Sequence, residues 1–220
     1  MGRITADQSQ QLTATLAANV NWEEIDFEEL GLQDAVIRKP KEAGAQFTAF
    51  LKNRCRTQVV IGVFPVWKTI KLGTGLKTAD EFREALKSNG FRIGSWGNNI
   101  LSKPAFKAAT EETEVDLVNV SVAELGFKDG ATRKDIYERA IDLGLQLCPN
   151  EVGPQLRLQY KDQPKGEWLR IAMEPITDSS GRLLVFNVVR NDGGLWLDGD
   201  DGHPDYFWYG NDRWVFARRK

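Results

Sequence analysis

One histidine, two cysteines and two methionines in 220 residues leave little material for metal or nucleophile chemistry. With His203 alone, multi-histidine metal sites are excluded, and a histidine-based triad would have to use that residue. Cys55 and Cys148 lie far apart and match no metal-ligand or redox spacing, which fits free thiols in a reducing compartment. No apolar run approaches the ~20 residues needed to span a bilayer, and the polar start MGRITADQSQQ has no signal-peptide core. Ala6 stands where a myristoylation signal requires Ser or Thr. These absences predict a cytoplasmic protein with no membrane partner. Neither sign of charge dominates: the net charge is -2, so no global field draws in nucleic acid or anionic lipid. There is no low-complexity linker and no G-x-S-x-G elbow, since Gly94-Ser95-Trp96-Gly97 lacks the spacing. Leu72-Gly73-Thr74-Gly75-Leu76-Lys77-Thr78 has the placement of a phosphate-binding loop, but Leu76 stands where a Walker A has glycine. Tight-turn glycines followed by a capping Thr78 account for it more simply.

What the chain does contain is a pattern written twice. Thr78, Glu81, Phe82 and then Gly90-Phe91-Arg92-Ile93 are matched, without a gap, by Thr132, Asp135, Ile136 and then Gly144-Leu145-Gln146-Leu147. Leu72-Gly73 and Leu125-Gly126 end apolar runs ahead of each copy. Thr78 with Glu81 has the form of a capping box, and Thr132 with Asp135 is a shorter version. Phe82, Ala85 and Leu86, and likewise Ile136, Ala140 and Leu143, recur at helical spacing, so each helix has one face to bury. Gly90 and Gly144 stand where a helix leaves through the left-handed conformation. The two copies, Thr78 to Ile93 and Thr132 to Leu147, are expected to superpose, with unlike tails in Gly94-Ser95-Trp96-Gly97 and Cys148-Pro149-Asn150-Glu151.

Around this repeat the composition shifts twice. Residues 1–62 read as a helical N-terminal region: Leu12, Leu16 and Val20 repeat every four residues, and Trp22 to Leu30 is an acidic amphipathic piece. Residues 63–165 form the tandem β-loop-α region, and 166–220 a β-rich C-terminal region packed on it. Gln155 to Tyr160, Trp168 to Met173, Leu183 to Val189, Leu195 to Leu197 and Arg213 to Ala217 are short β-prone runs between Gly, Pro, Asp and Asn clusters. Asp178-Ser179-Ser180-Gly181 signals a hairpin turn. The expected fold class is therefore α+β: helical N-terminal region, two β-loop-α units in tandem, and a C-terminal antiparallel β meander. A hydrophobic content of 41% suffices for a core of ordinary size.

Arg92-Ile93-Gly94-Ser95-Trp96-Gly97-Asn98-Asn99-Ile100-Leu101 and the stretch Val152 to Trp168 (VGPQLRLQYKDQPKGEW) carry a resemblance. They are similar to segments of a family of hypothetical proteins encoded in bacterial genomes and metagenomes, over most of the chain from Trp67 onward. No activity, cofactor or catalytic residue is attached to that group. The resemblance implies a bacterial, soluble protein and transfers no functional site.

Three constellations remain as candidate sites. Asp198-Gly199-Asp200-Asp201-Gly202-His203-Pro204-Asp205, preceded by Asp192-Gly193-Gly194, offers hard oxygen ligands on a glycine-rich loop, with Asp198, Asp200, Asp201 and His203 as metal ligands. It lacks the full EF-hand order, and an exposed turn would use the same residues. No cofactor is expected otherwise. Tyr206-Phe207-Trp208-Tyr209 is a run of four aromatics that could stack a sugar or base, or anchor a protein partner. Trp96 and Asn98, beside the first repeat, are the further ligand-binding candidates with Tyr206 and Trp208. Basic residues are scattered over Arg38 to Lys41, Lys52 to Arg56 and Arg218 to Lys220; nucleic-acid binding would need them to converge. The expectation is a bacterial cytoplasmic binding or interaction protein, with a protein or small-molecule partner held where the repeat loops meet the C-terminal sheet. The first alternative is a divalent-metal-dependent hydrolase built on the 198–205 loop, and the second a nucleic-acid-binding protein.

Overall fold

A computed structural model of the chain describes residues 64–218, with positions 41 and 45. Apart from those two positions, the helical region expected over 1–62, with its acidic segment and basic clusters, lies outside the described residues. The chain divides into two compact units, Met1–Thr57 and Gln58–Lys220, and the second holds the fold described below.

The local units of the repeat form as the sequence predicts. Helix α1 (Ala79–Ser88) follows β1 (Lys68–Leu72) and precedes β2 (Arg92–Ile93); α2 (Ser95–Leu101) comes next. In α1 the capping box closes: Thr78 Oγ1 accepts from Glu81 N at 3.2 Å while the Glu81 carboxylate accepts from Thr78 N at 2.8 Å. The backbone N–H of Lys77, at 2.6 Å, and that of Thr78 hold the Glu81 carboxyl below its usual range. After β3 (Thr113–Ser121) and β4 (Ala131–Thr132), α3 (Arg133–Asp142) repeats the entry with a difference. Thr132 Oγ1 accepts from Asp135 N at 3.2 Å, but the shorter Asp135 side chain takes the Thr132 hydroxyl at 2.7 Å instead of its backbone N–H. Both helices exit through glycine, with φ of 77° at Gly90 and 87° at Gly144. Helix α1 buries Phe82 and Leu86, and α3 buries Ile136, Tyr137 and Ala140.

The expected α+β architecture is not what these units build. Past β5 (Leu145–Gln146) and α4 (Val152–Gln159) come β6 (Trp168–Ile171), β7 (Ile176–Thr177), β8 (Leu183–Asn191), β9 (Gly194–Asp201), β10 (Phe207–Trp208) and β11 (Arg213–Arg218). Among the described residues sheet dominates, with four short helices, and nine strands form one mixed sheet curled into a half-barrel. Its order is β1-β3-β11-β6-β8-β9-β2, with β5 on β11 and β7 on β8. There is neither a tandem of independent β-loop-α units nor a separate antiparallel meander. The reason lies in pairing: β11 inserts between strands from distant parts of the chain, antiparallel to β3 (Trp214 opposite Val120) and parallel to β6 (Val215 opposite Ile171). The strands after the two repeat helices also part company, β2 joining β9 in parallel and β5 joining β11 antiparallel.

Gln155 to Tyr160, read as β-prone, is helix α4 with the turn after it. The alternation of Leu156, Leu158 and Tyr160 imitates a strand, but Val152 and Leu156, one helical turn apart, are the fully buried pair. Another α4 stripe, Glu151, Gln155 and Gln159, is polar and bonds inward. The buried Glu151 carboxylate accepts from Gly73 N at 2.9 Å, Ala109 N at 2.6 Å and Gln155 Nε2 at 2.9 Å. Gln159 accepts from Lys71 N at 2.9 Å and donates to Lys71 O at 2.8 Å, taking the place of a further strand on the outer edge of β1. Arg157, also buried, donates to Gln163 Oε1 and Tyr160 O, and lies 5.1 Å from the Phe91 ring centre. Burial pushes its pKa down to about 10, which leaves it charged at neutral pH. Gln163 in turn donates to Glu167 O and Val188 O, linking this turn to β8.

The two sheet faces are covered differently. One takes α1, α2 and α4: Phe82, Phe106 and Phe186 meet edge-on at 5.5 and 6.1 Å, and a Cβ on Gly153 would come within 2.6 Å of Phe186. The other takes α3, with Tyr137 edge-on to Trp214 and Phe216 at 5.5 and 6.0 Å, and Trp208 on Trp214 at 5.3 Å. Cys148 is a free, buried thiol whose pKa burial pushes up. No helix among the described residues is long and apolar enough to cross a membrane.

Replacing Glu151 by alanine removes the acceptor of two part-buried backbone N–H groups and one of the two acceptors of the Gln155 amide, so it is expected to cost about 3 kcal/mol. Thermal or urea unfolding checks this, as a melting temperature lower by roughly 6–12 °C. Glu151→Gln, which keeps an acceptor, is expected to lose less.

Candidate functional site

The acidic run does not close into one loop: Asp198, Asp200 and Asp201 lie on β9, and each takes a separate structural bond. Asp198 Oδ1 accepts from Gly97 N at 3.2 Å and Gly199 N at 2.9 Å, so it caps α2, whose own N-cap position is Gly94. Gly94 and Gly97 permit this approach, since a Cβ at either would stand 2.0 Å from Asp198 Cγ or 2.8 Å from its Cα. Asp200 accepts from Arg170 Nε at 2.9 Å; the same guanidinium reaches Asp212 at 3.0 Å and lies 4.2 Å from the Trp208 ring centre. Burial raises the Asp200 pKa against the pull of Arg170. Asp201 points to the opposite face by strand alternation and accepts from His203 N at 2.7 Å. The four residues expected as metal ligands therefore do not converge. Among the described residues no group of three or more His, Cys, Asp or Glu is placed to hold a metal ion.

Three of the sequence-derived candidates do meet, in a groove of about 430 Å³ lined by Gly181, Arg182, Leu183, Asp201, His203, Asp205 and Tyr206. The hairpin turn builds one wall. Asp178 accepts from Ser180 N and Oγ, both at 2.7 Å, and from Arg182 N at 3.0 Å, while Gly181 takes a φ of 88°. Led by the Ser180 hydroxyl, these donors hold the Asp178 carboxyl well below the usual carboxylate range. Asp178 also binds the Arg182 side chain, through Nε at 2.9 Å and a terminal nitrogen at 2.8 Å. The Arg182 guanidinium, 4.9 Å from the Trp96 ring centre, is thus committed on one side to a carboxylate and on the other to an indole. The facing wall is the turn after β9. There His203 Nδ1 stands 3.9 Å from the Asp205 carboxylate, and both side chains are mostly exposed. Tyr206 is 44% exposed, leaning on Trp208 with ring centres 4.8 Å apart.

The remaining candidates separate from the groove. Trp96 touches it only through Arg182, its Cβ resting over Gly199. Asn98 accepts from Arg83 Nε at 2.7 Å through its side chain and from the same guanidinium through its carbonyl at 3.2 Å, tying α1 to α2. Trp208, 3% exposed, is a core residue between Trp214 and Arg170. The four-aromatic run alternates as a strand does: Tyr206 and Trp208 pair on one side, Phe207 and Tyr209 on the other at 5.7 Å. Arg182 is the groove residue that sequence reading missed. Its signal was its place directly after the Asp178–Gly181 turn, where an Asp at i reaches both the backbone and the side chain of i+4.

Asp178 is expected to make stability pH-dependent. Its folded pKa is depressed, so its contribution is complete above the ordinary value of 3.8 and is lost as pH falls toward the depressed one. Asp178→Asn is expected to unfold at lower temperature than the parent at pH 7, with the gap narrowing at pH ~3. Melting curves at the two pH values check this. Compared with family models, curated proteins and solved structures, the chain matches none of them.

Proposed function

We propose that this chain is a binding protein of the bacterial cytoplasm, and that its groove takes a small ligand, or a partner's side chain, bearing an amine or other cationic donor. The observation that supports this is the balance of groups left over once structural bonds are satisfied. Arg182 is neutralised by Asp178, so the groups left facing the groove are the Asp201 and Asp205 carboxylates, the imidazole of His203 and the ring of Tyr206. Two carboxylates beside an exposed aromatic favour a cation: the charge meets the carboxylates, and the ring adds its electron-rich face. Binding alone accounts for this set, and the reading assigns no turnover. The bacterial and cytoplasmic parts of it rest on the family resemblance, the free buried thiol and the balanced net charge.

The test is a titration of the full chain followed by two-dimensional amide NMR, with putrescine, lysine amide and arginine amide against glutarate as the anionic control. Saturable shifts at residues 181–183 and 201–206 are expected with the cations and not with glutarate. Asp205→Asn or Tyr206→Ala, both at exposed positions, is expected to weaken binding by about fivefold, the loss of roughly 1 kcal/mol from one exposed contact. Equal response to glutarate, or cation binding indifferent to both substitutions, would refute the reading.

A further inference from the structure

On the sheet face shared with Arg170, away from the groove, a row of side chains crosses four strands in register. Trp168 on β6 stands opposite Val189 on β8, Val189 opposite Trp196 on β9, and Trp196 opposite Arg92 on β2. The Arg92 guanidinium covers the outer side of Trp196, 5.3 Å from its ring centre. Trp196 is fixed further by its Nε1, which donates to Asn191 Oδ1 at 3.0 Å. Trp168, by contrast, is 47% exposed. Between the two indoles lies a slot of about 140 Å³ whose floor is the buried Val189, and which Asn191 and Asp198 also line.

The polar groups of the slot are half used. Asn191 Oδ1 is taken by Gly193 N and Trp196 Nε1, whereas its amide Nδ2 donates to nothing among the described residues. Asp198 Oδ1 is taken by Gly97 N and Gly199 N, whereas Oδ2 accepts nothing among the described residues. The slot thus offers two indole walls, an aliphatic floor, one spare donor and one spare acceptor. A ligand that satisfies all of these has apolar C–H faces and a rim that both gives and takes hydrogen bonds. Two ladder steps put the walls about 9.6 Å apart at their bases. A saturated six-membered ring, with C–H bonds on both faces and hydroxyls around its rim, has that character.

We propose that the slot between Trp168 and Trp196 is a binding site for a neutral pyranose sugar ring, with Asn191 Nδ2 and Asp198 Oδ2 bonding its hydroxyls. This site is separate from the 201–206 groove, and neither reading depends on the other. The experiment is saturation-transfer NMR and tryptophan fluorescence on the full chain, with the methyl pyranosides of glucose, galactose, mannose and N-acetylglucosamine, and with adenosine and choline as controls. At least one pyranoside is expected to bind with Kd on the order of 1 mM, shifting the Trp168 and Trp196 indole N–H resonances. A matching oligosaccharide that binds more tightly identifies a glycan as the source, and one that binds equally a free sugar. Trp168→Ala is expected to weaken binding by about tenfold or more with an unchanged melting temperature, and Trp168→Phe to restore part of it. Asn191→Ala weakens it less, and Tyr206→Ala not at all. The proposal is overturned by no transfer to any pyranoside at tens of millimolar, by full binding in Trp168→Ala, or by adenosine or choline occupying the slot in preference.

Discussion

The buried Glu151 carboxylate and the polar stripe that continues from it hold together parts of the chain that hydrophobic contact alone would leave loosely registered. A carboxylate without solvent is tolerated only when its oxygens are filled by donors. Here the donors come from the turn after β1, the segment before β3, and α4 itself. Because those N–H groups are fixed in the backbone, α4 has one axial position in which Glu151, Gln155 and Gln159 all find partners. Setting α4 sets Gly153 against Phe186, and so sets the helix layer against the sheet. Arg157 and Gln163 then carry the same register across to β8, the strand that supplies one edge of the groove and the floor of the slot.

This explains what the stretches Arg92–Leu101 and Val152–Trp168 contain. In the first, Gly94 and Gly97 admit Asp198, and Asn98 receives Arg83. In the second, Gln155, Arg157, Gln159 and Gln163 are all spent on internal bonds. Side chains so placed are scaffold. The groups with unspent bonding capacity, Asp205, His203, Tyr206, Asn191 and Trp168, lie at the end of the second stretch or outside both.

Sequence reading succeeded where the determining interaction is local. Thr78 with Glu81, Gly90 and Gly144, and the Asp178 turn are each decided within five residues, and each is found where it was expected. It failed where partners are distant. Nothing near Arg213 announces that β11 belongs between β3 and β6, and parallel pairing with β6 removes the meander that short strands in succession suggest. The acidic run misled for a related reason. Asp198 and Asp200 resemble ligands only while the Gly97 amide and Arg170 that occupy them are out of view. Of the groove, the candidate residues Asp201, His203 and Tyr206 were legible, but the neutralisation of Arg182 by Asp178 was not.

The central position of β11 has a consequence for how the protein is made. Until Arg213–Arg218 leaves the ribosome, β3 and β6 present unpaired edges toward each other. At 5–20 residues per second that interval lasts about 2–9 seconds after β6 is complete. During it the nascent chain carries two open strands rich in apolar side chains, the condition in which edge-to-edge association competes with folding. The sheet is therefore complete only once β11, the last of its described strands, has been made. A ribosome stalled short of Trp214 would hold helices and hairpins already formed around a gap that only β11 can fill.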